Sequence, residues 1–327
     1  MLLIVAAWVG CAGKTDAGPE PPASTGHTGA ETTAAHSAEN PTGGPTATTA
    51  DTGAETVPFV AVFTAEVAGD AVAVRTSVPM READCASIPG APCGDTDLDG
   101  LTDAWEDGVL DHLRPTLVFD EAEPLVGDPS AVLAIVARVA PAAGDRVHVY
   151  LMLGYSVDYG RCGLSGHDGD SERVVLELAP DGGVGDVAVT AVYTAAHENT
   201  PNDHGHRYTG ADLATLSFPA DPEPRLQVWS SDGKHATYGT AAACESASFV
   251  PCVEEDCSPD RGVDPLDFTV LPAAFNAGEP TAPRLTDLAG IGFPDEDAWA
   301  SQDFCGGRGR GGSCSAPVRD KLLDDPF

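Results

Sequence analysis

Arg146-Val-His-Val-Tyr-Leu-Met-Leu-Gly-Tyr-Ser-Val157 decides the fold. The run is rich in Val, Leu and Tyr, the residues that suit a pleated and half-buried surface, and turn formers bound it. Working outward, residues 132–139, 173–178, 186–193 and 225–230 share that character and are separated by Gly, Pro and Asp. Towards the N-terminus, residues 57–67 and 71–78 alternate in part and flank an Ala-Gly-Asp turn, which reads as a hairpin. The expectation is a mainly β chain folded as a β-sandwich with long disulfide-bonded loops. About 270 residues follow residue 56, enough for one large domain with a sizeable core.

A short helix is expected at one place. Trp105, Val109 and Leu113 recur at helical spacing, and Pro115 forces the helix to end near Arg114. Immediately before it runs Asp95-Thr-Asp-Leu-Asp-Gly-Leu-Thr-Asp-Ala-Trp-Glu106, which has the ligand spacing of a calcium loop. Asp95, Asp97 and Asp99 stand at positions 1, 3 and 5, and Gly100 permits the turn at position 6. Leu101 offers its carbonyl at 7, Asp103 acts through water at 9, and Glu106 closes the loop at 12. Pro89, Gly90 and Pro92 stand where an entering helix would be, so the loop is solitary rather than half of a paired sensor. It resembles thrombospondin-type or dockerin-like repeats.

Residues 1–10 read as a signal peptide, an apolar run too short for the roughly 20 residues of a membrane span, and Cys11 follows as a lipidation site. No Lys or Arg precedes the run, and Trp8 stands where an aliphatic residue is usual in bacterial lipoproteins. Residues 11–56 form a lipid-anchored linker of Gly, Pro, Ala, Ser, Thr and Glu that cannot bury enough apolar surface to fold. The hairpin and a disulfide loop occupy 57–94, the calcium loop and helix 95–114, and the sandwich 115–327. The address is therefore an exported lipoprotein of the outer membrane or cell surface, or alternatively a secreted protein.

Nine cysteines agree with export. Setting Cys11 aside leaves an even set: Cys85, Cys93, Cys162, Cys244, Cys252, Cys257, Cys305 and Cys314. Cys85 with Cys93 and Cys305 with Cys314 are local, turn-flanked pairs, and the other four leave three pairings open. Zinc on Cys244, Cys252 and Cys257 is a competing use that lacks a paired C-x-x-C. The Gly306–Gly312 tract, between two cysteines, reads as a closed flexible loop, and His204 and His206 as an exposed polar loop. A net charge of −34 with only 17 Lys and Arg excludes nucleic acid as a partner.

A second cluster follows the deciding strand. Asp158 precedes His167-x-x-Asp170-x-Glu172, and in an extended segment Asp170 and Glu172 share a face. A histidine with several carboxylates suits a divalent cation without choosing among magnesium, manganese, calcium and zinc. Further along, Val192-Tyr-Thr-Ala-Ala-His197 ends a strand in histidine, and Gly233-Lys-His-Ala-Thr-Tyr238 supplies Lys234 and His235.

Together with the opening Leu113-Arg-Pro-Thr-Leu-Val-Phe-Asp120, these segments resemble the vacuolar protein sorting-associated protein 62 family over residues 113–257. The His-x-x-Asp-x-Glu pattern is also similar to the metal signature of the necrosis- and ethylene-inducing-like proteins, β-sandwich toxins that hold a divalent cation. That second resemblance implies His167, Asp170 and Glu172 as ligands, with Asp158 upstream and His197 acting from behind the ligands or through water. Ser171 replaces the Trp of both signatures, and Asp168 and Gly169 replace the toxins' basic pair, so the resemblance implies metal binding more than cytolysis.

Three functions are open to such a chain. In the first, the metal organises a face that recognises a glycan or lipid headgroup. In the second it activates water for hydrolysis, with His197 or His235 moving the proton and Lys234 stabilising negative charge. In the third the chain is a structural surface protein. Binding is the favoured expectation, because no nucleophile motif such as Gly-x-Ser-x-Gly is present.

Overall fold

The computed structural model describes residues 58–120, 123–127, 133–160, 166–198, 203–220, 223–247, 257, 273–291, 299, 314 and 317–327. The expected signal peptide, Cys11, the linker, Cys162, Cys252, Cys305 and the tract 306–312 lie outside them.

In chain order the elements are β1 (Phe63–Ala68), β2 (Ala71–Thr76), α1 (Asp103–Leu113), β3 (Thr116–Phe119), α2 (Pro124–Gly127), β4 (Leu133–Ala142), β5 (Arg146–Asp158), β6 (His167–Pro180) and β7 (Val187–Thr194). Then come β8 (His206–Thr209), β9 (Gln227–Ser230), β10 (Thr237–Tyr238), α3 (Ala241–Ser246), β11 (Ala274–Asn276), β12 (Gly278–Glu279), β13 (Ala282–Pro283) and α4 (Arg319–Leu323). The fold is mainly β. A large sheet runs β1-β2-β7-β6-β5-β4-β11 with β8 added beside β7, and a three-stranded sheet runs β10-β9-β3.

The deciding stretch is β5, buried nearly throughout and paired with β4 and β6 on its two sides. Because side chains alternate across a strand, the large sheet has two apolar faces. One carries Val147, Val149, Leu151, Leu153, Tyr155, Val174 and Leu176, and packs with α1 and with Leu117, Phe119 and Val228 of the small sheet. That is the sandwich. The other face carries Val136, Tyr150, Met152 and Val175, and residues from the C-terminal part of the chain, Ala277, Leu288, Trp299, Val318 and Leu322, cover it.

α1 turns Trp105, Val109, Leu110 and Leu113 to the core and ends at Arg114, the residue before the proline. Trp105 is fully buried, and its Nε1 donates to the Gly185 carbonyl at 2.8 Å, which ties the helix to the approach of β7. Gly185 permits this approach: a Cβ there would stand 2.0 Å from the Val78 carbonyl oxygen.

Some boundaries differ from expectation. β1 begins at Phe63 rather than residue 57, while β6 starts at His167 rather than 173. Its first residues are charged, and cross-strand pairing with β5 holds them extended, with Asp158 opposite His167 and Tyr155 opposite Asp170. Lys321, Leu322 and Leu323 sit in α4, which buries Leu322 in the chain's own core.

Cys85 and Cys93 are joined, as their spacing suggested. Cys244 pairs with Cys257, which selects among the open pairings and removes the zinc use of these sulfurs. Cys314 is also disulfide-bonded. Such bonds fit an oxidising, exported setting. Among the described residues, no helix is long and apolar enough to cross a membrane.

Candidate metal and ligand sites

The Asp95 loop folds around its own carboxylates. Asp95 accepts from the Leu98 and Gly100 amides at 2.7 and 2.9 Å, and Asp99 accepts from Leu101 at 2.8 Å. Asp103 receives the amide and hydroxyl of Thr96 at 3.0 and 2.6 Å. Leu98 and Gly100 both have positive φ, 63° and 92°, which coils the loop inward. Leu101 forms an antiparallel bridge with Arg81, through Thr102 N to Met80 O and Glu82 N to Gly100 O. In that geometry the carbonyl of Leu101 turns away from Arg81.

What the loop does not satisfy is more informative. Asp97 is 1 % exposed, and neither of its carboxylate oxygens has a hydrogen-bond partner; one oxygen of Asp99 is orphaned in the same way. A buried acceptor left unpaired is costly, and an anionic one more so. Burial pushes Asp97 up to about 7, with Asp99 beside it adding repulsion, and burial pushes Asp99 to about 6. Glu106, also fully buried, rises to about 9, through burial first and the charges of Asp97 and Asp99 second. Carboxylates so placed could share a cation. Among the described residues, the sets whose ligand atoms lie within 4.8 Å of one another are Asp95/Asp97/Asp99 and Asp97/Asp103/Glu106. An acidic cluster able to hold a metal ion is therefore present.

The second cluster lies at the C-terminal end of β5. The β5–β6 strand ends bring Asp158 and His167 opposite each other, and Asp170 and Glu172 continue the row of Val174 and Leu176. From the small sheet, the turn between β9 and β10 carries Lys234 and His235, closed by Ser231 N to Ala236 O at 3.0 Å. His197 and Glu198 follow β7, and Lys321 arrives from α4. Asp158, His167, Asp170, Glu172, His197 and Lys234 all line one cavity of about 240 Å3, with Ser171, Glu198, Pro317 and Lys321.

Its electrostatics are paired. Asp158 accepts from Lys234 at 2.6 Å and from the Gly160 amide at 2.6 Å, with His167 Nε2 at 3.3 Å. Asp170 meets His235 Nδ1 at 3.2 Å, and His235 Nε2 lies 3.4 Å from Glu123. Burial opposes the charge of His235, but these two carboxylates overcome it and raise the imidazole to about 9. Burial would likewise raise Asp170 and Glu123, and His235 holds both below the usual carboxylate range. Glu172 goes the other way. Burial raises it to about 8 although Lys321 lies 3.8 Å away, and its Oε2 has no hydrogen bond.

His235 is therefore a sealed cation between two anions, with 0 % exposure and both ring nitrogens engaged. That arrangement does not suit the proton carrier the sequence offered. His197 and His235 both take positive φ, 54° and 58°, as does Leu98 in the acidic loop. Non-glycine residues adopt this conformation at a cost, and such strain gathers at functional sites.

Sequence reasoning missed Glu123, Glu198 and Lys321 in the cavity region, and Asn276 and Arg284 at the acidic loop. Asn276 Nδ2 approaches Glu106 Oε1 at 3.3 Å, and Arg284 Nη1 meets Oε2 at 3.0 Å. None of them falls in a local motif. The one available signal was that Lys and Arg are scarce in so acidic a chain, so each is a candidate partner for a buried carboxylate.

No family model matches the chain, and no curated protein matches it. Its structural neighbours include a necrosis- and ethylene-inducing-like protein and a toxin fold. The structure described as "Toxin fold for microbial attack and plant defense" is 17% identical over 33% of this chain and 46% of its own, with a TM-score of 0.24. The chain thus spans less than half of that neighbour. "NLPPya in complex with mannosamine" is 14% identical over 54% of this chain and 84% of its own, with a TM-score of 0.28.

Proposed function

We propose that the chain is an exported, lipid-anchored surface protein that binds calcium at Asp95, Asp97, Asp99, Leu101, Asp103 and Glu106, and uses a second divalent cation to bind a glycan or a lipid headgroup. Asp158, His167, Asp170, Glu172 and His197 would hold that second ion. One observation supports both sites: among the described residues, the buried carboxylate oxygens without a hydrogen bond belong to Asp97, Asp99 and Glu172. Asp97 and Asp99 belong to the close ligand sets of the loop and Glu172 to the proposed second site, and a hard cation that takes six to eight oxygens would supply what they lack. The cavity over Glu172 is lined almost wholly by charged and polar groups, which suits a ligand rich in hydroxyls or anionic oxygens.

Binding fits the geometry better than hydrolysis. His235 is enclosed and Lys234 is committed to Asp158, which leaves His197 as the remaining candidate for proton transfer. A metal bound at Glu172 would supply Lewis acidity and a coordination site for ligand oxygen.

Metal analysis of purified protein, wild type against Asp97→Asn and Glu172→Gln, tests the sites. Two ions per chain, each lost in one variant only, is the expected result. One ion in the wild type that survives Glu172→Gln sinks the second site. Glycan-array and anionic-vesicle binding, with and without chelator, tests the function, and a signal indifferent to both chelator and Glu172→Gln sinks the metal-centred reading.

A further inference from the structure

The calcium loop contains its own competitor for the ion. Arg284 follows β13, far from the loop in sequence, yet its Nη1 stands 3.0 Å from Glu106 Oε2 and 3.6 Å from Asp103 Oδ1. Its Nη2 is gripped by both oxygens of Asp107 at 2.8 Å each. Asp107 is not a ligand position of the loop, so an ion bound there would not compete directly for this contact. Among the described residues, Arg284 is the cationic side chain that ion-pairs with the loop's carboxylates. It is itself half-buried, with 16 % of its side chain exposed, so water screens it weakly.

Glu106 is the position expected to close the loop with both oxygens on the ion. Here Oε2 already serves a guanidinium and Oε1 an amide of Asn276. An ion at 2.3–2.6 Å from Oε2 would sit within a few ångströms of Arg284, which Asp107 prevents from withdrawing. The two positive charges would then share one carboxylate in a poorly screened site.

We propose that Arg284 is a tethered counter-cation that lowers the loop's calcium affinity while stabilising the metal-free fold. The inference rests on the calcium reading above. It makes Arg284 a positioning residue with two opposite effects: it neutralises Glu106 when the loop is empty and repels the ion when the loop fills. A purely structural arginine would have only the first.

Calcium titration against a competing chelator, with thermal unfolding in the same buffers, separates the two. Arg284→Gln is expected to bind calcium at least tenfold tighter than wild type and, in chelator, to unfold at a lower temperature. Arg284→Lys keeps the charge but loses the forked grip on Asp107, so its affinity should fall between those of wild type and Arg284→Gln. An Arg284→Gln protein whose Kd is unchanged or weaker overturns the proposal, as does an Arg284→Lys protein that tightens as much as Arg284→Gln. Should Arg284→Gln fail to fold, the affinity of Asp107→Asn decides: freeing the guanidinium tightens binding if the tether matters, and an unchanged Kd overturns it. Wild-type protein that takes up no calcium overturns the calcium reading together with this one.

Discussion

The ring of Tyr155 lies flat against that of His235, with centroids 4.0 Å apart and planes within 8°. A strand residue of the large sheet thus stacks on a turn residue of the small one, and the imidazolium it covers is clamped between Asp170 and Glu123. The sandwich is closed at this end by a buried ionic triad rather than by apolar side chains alone.

The triad predicts a pH dependence. Its histidine is raised in the folded state from an unfolded value near 6.5 to about 9, so its contribution is complete below about pH 6.5 and lost as pH rises through about 9. Urea unfolding should show wild type weakening across that window. His235→Gln should be less stable than wild type at neutral pH by about 3–5 kcal/mol, because two buried carboxylates lose their cation. Its stability should also vary less between about pH 6.5 and about 9. A variant with the wild-type slope would mean that His235 contributes nothing to it.

The acidic loop titrates in the same sense, but calcium can reverse it. Asp97, Asp99 and Glu106 are raised to about 7, 6 and 9, so the metal-free folded state binds protons more tightly than the unfolded chain. In chelator, stability should fall as pH rises from about 4 towards about 9, and saturating calcium should abolish that loss. The rise in Tm on adding calcium should therefore be larger at about pH 8 than at about pH 5. A calcium effect that shrinks with rising pH would contradict the loop's electrostatics.

Asp97→Asn should divide these effects. Its side chain keeps the shape and removes the buried charge, so in chelator the variant should be more stable than wild type by about 1–3 kcal/mol. Calcium should no longer raise its Tm. Scanning calorimetry with and without calcium is the check, and a variant less stable than wild type in chelator would mean that the ionised Asp97 has a favourable partner.

Gly185→Ala should cost about 2–4 kcal/mol although the residue lies outside every strand and helix. The added methyl meets the Val78 backbone, which has no rotamer in which to yield, and pushes away the carbonyl that holds Trp105. The red shift of tryptophan emission should accompany the lost stability. Unchanged emission and stability would show that the β2–β7 approach can open freely.

The Cys244–Cys257 bond stands behind the cavity. The cluster around it includes Ala196 and Ala236, the neighbours of His197 and His235. Replacing both cysteines by serine should cost about 2–4 kcal/mol. It should also weaken uptake of the second ion while leaving calcium binding at the Asp95 loop unchanged. Equal loss at both sites would indicate global loosening instead.

Legibility in the sequence followed distance along the chain. β5 and β7 could be read because Val, Leu and Tyr suit a sheet wherever they stand, and the acidic loop because its ligands sit within one short stretch. The start of β6 could not. Asp168, Asp170, Glu172 and Arg173 have little strand propensity, and only the register with β5 extends them. Glu123, Lys321 and Arg284 reach their partners across 110, 150 and 178 residues, where no periodicity or spacing rule operates. His235 was visible as a residue but not as a sealed one, since its burial depends on β3, β5 and β6 meeting around the β9–β10 turn.

The covering of the large sheet's second face sets an order of events. Val136, Met152 and Val175 wait for Ala277, Leu288, Val318 and Leu322, and the edge of β4 waits for its parallel partner β11. Until residue 323 has been delivered, a folding chain presents an apolar sheet face and an open strand edge to its surroundings. Late closure of this kind would leave a partly delivered chain more exposed to aggregation than the finished protein. A chaperone would be expected to recognise it there.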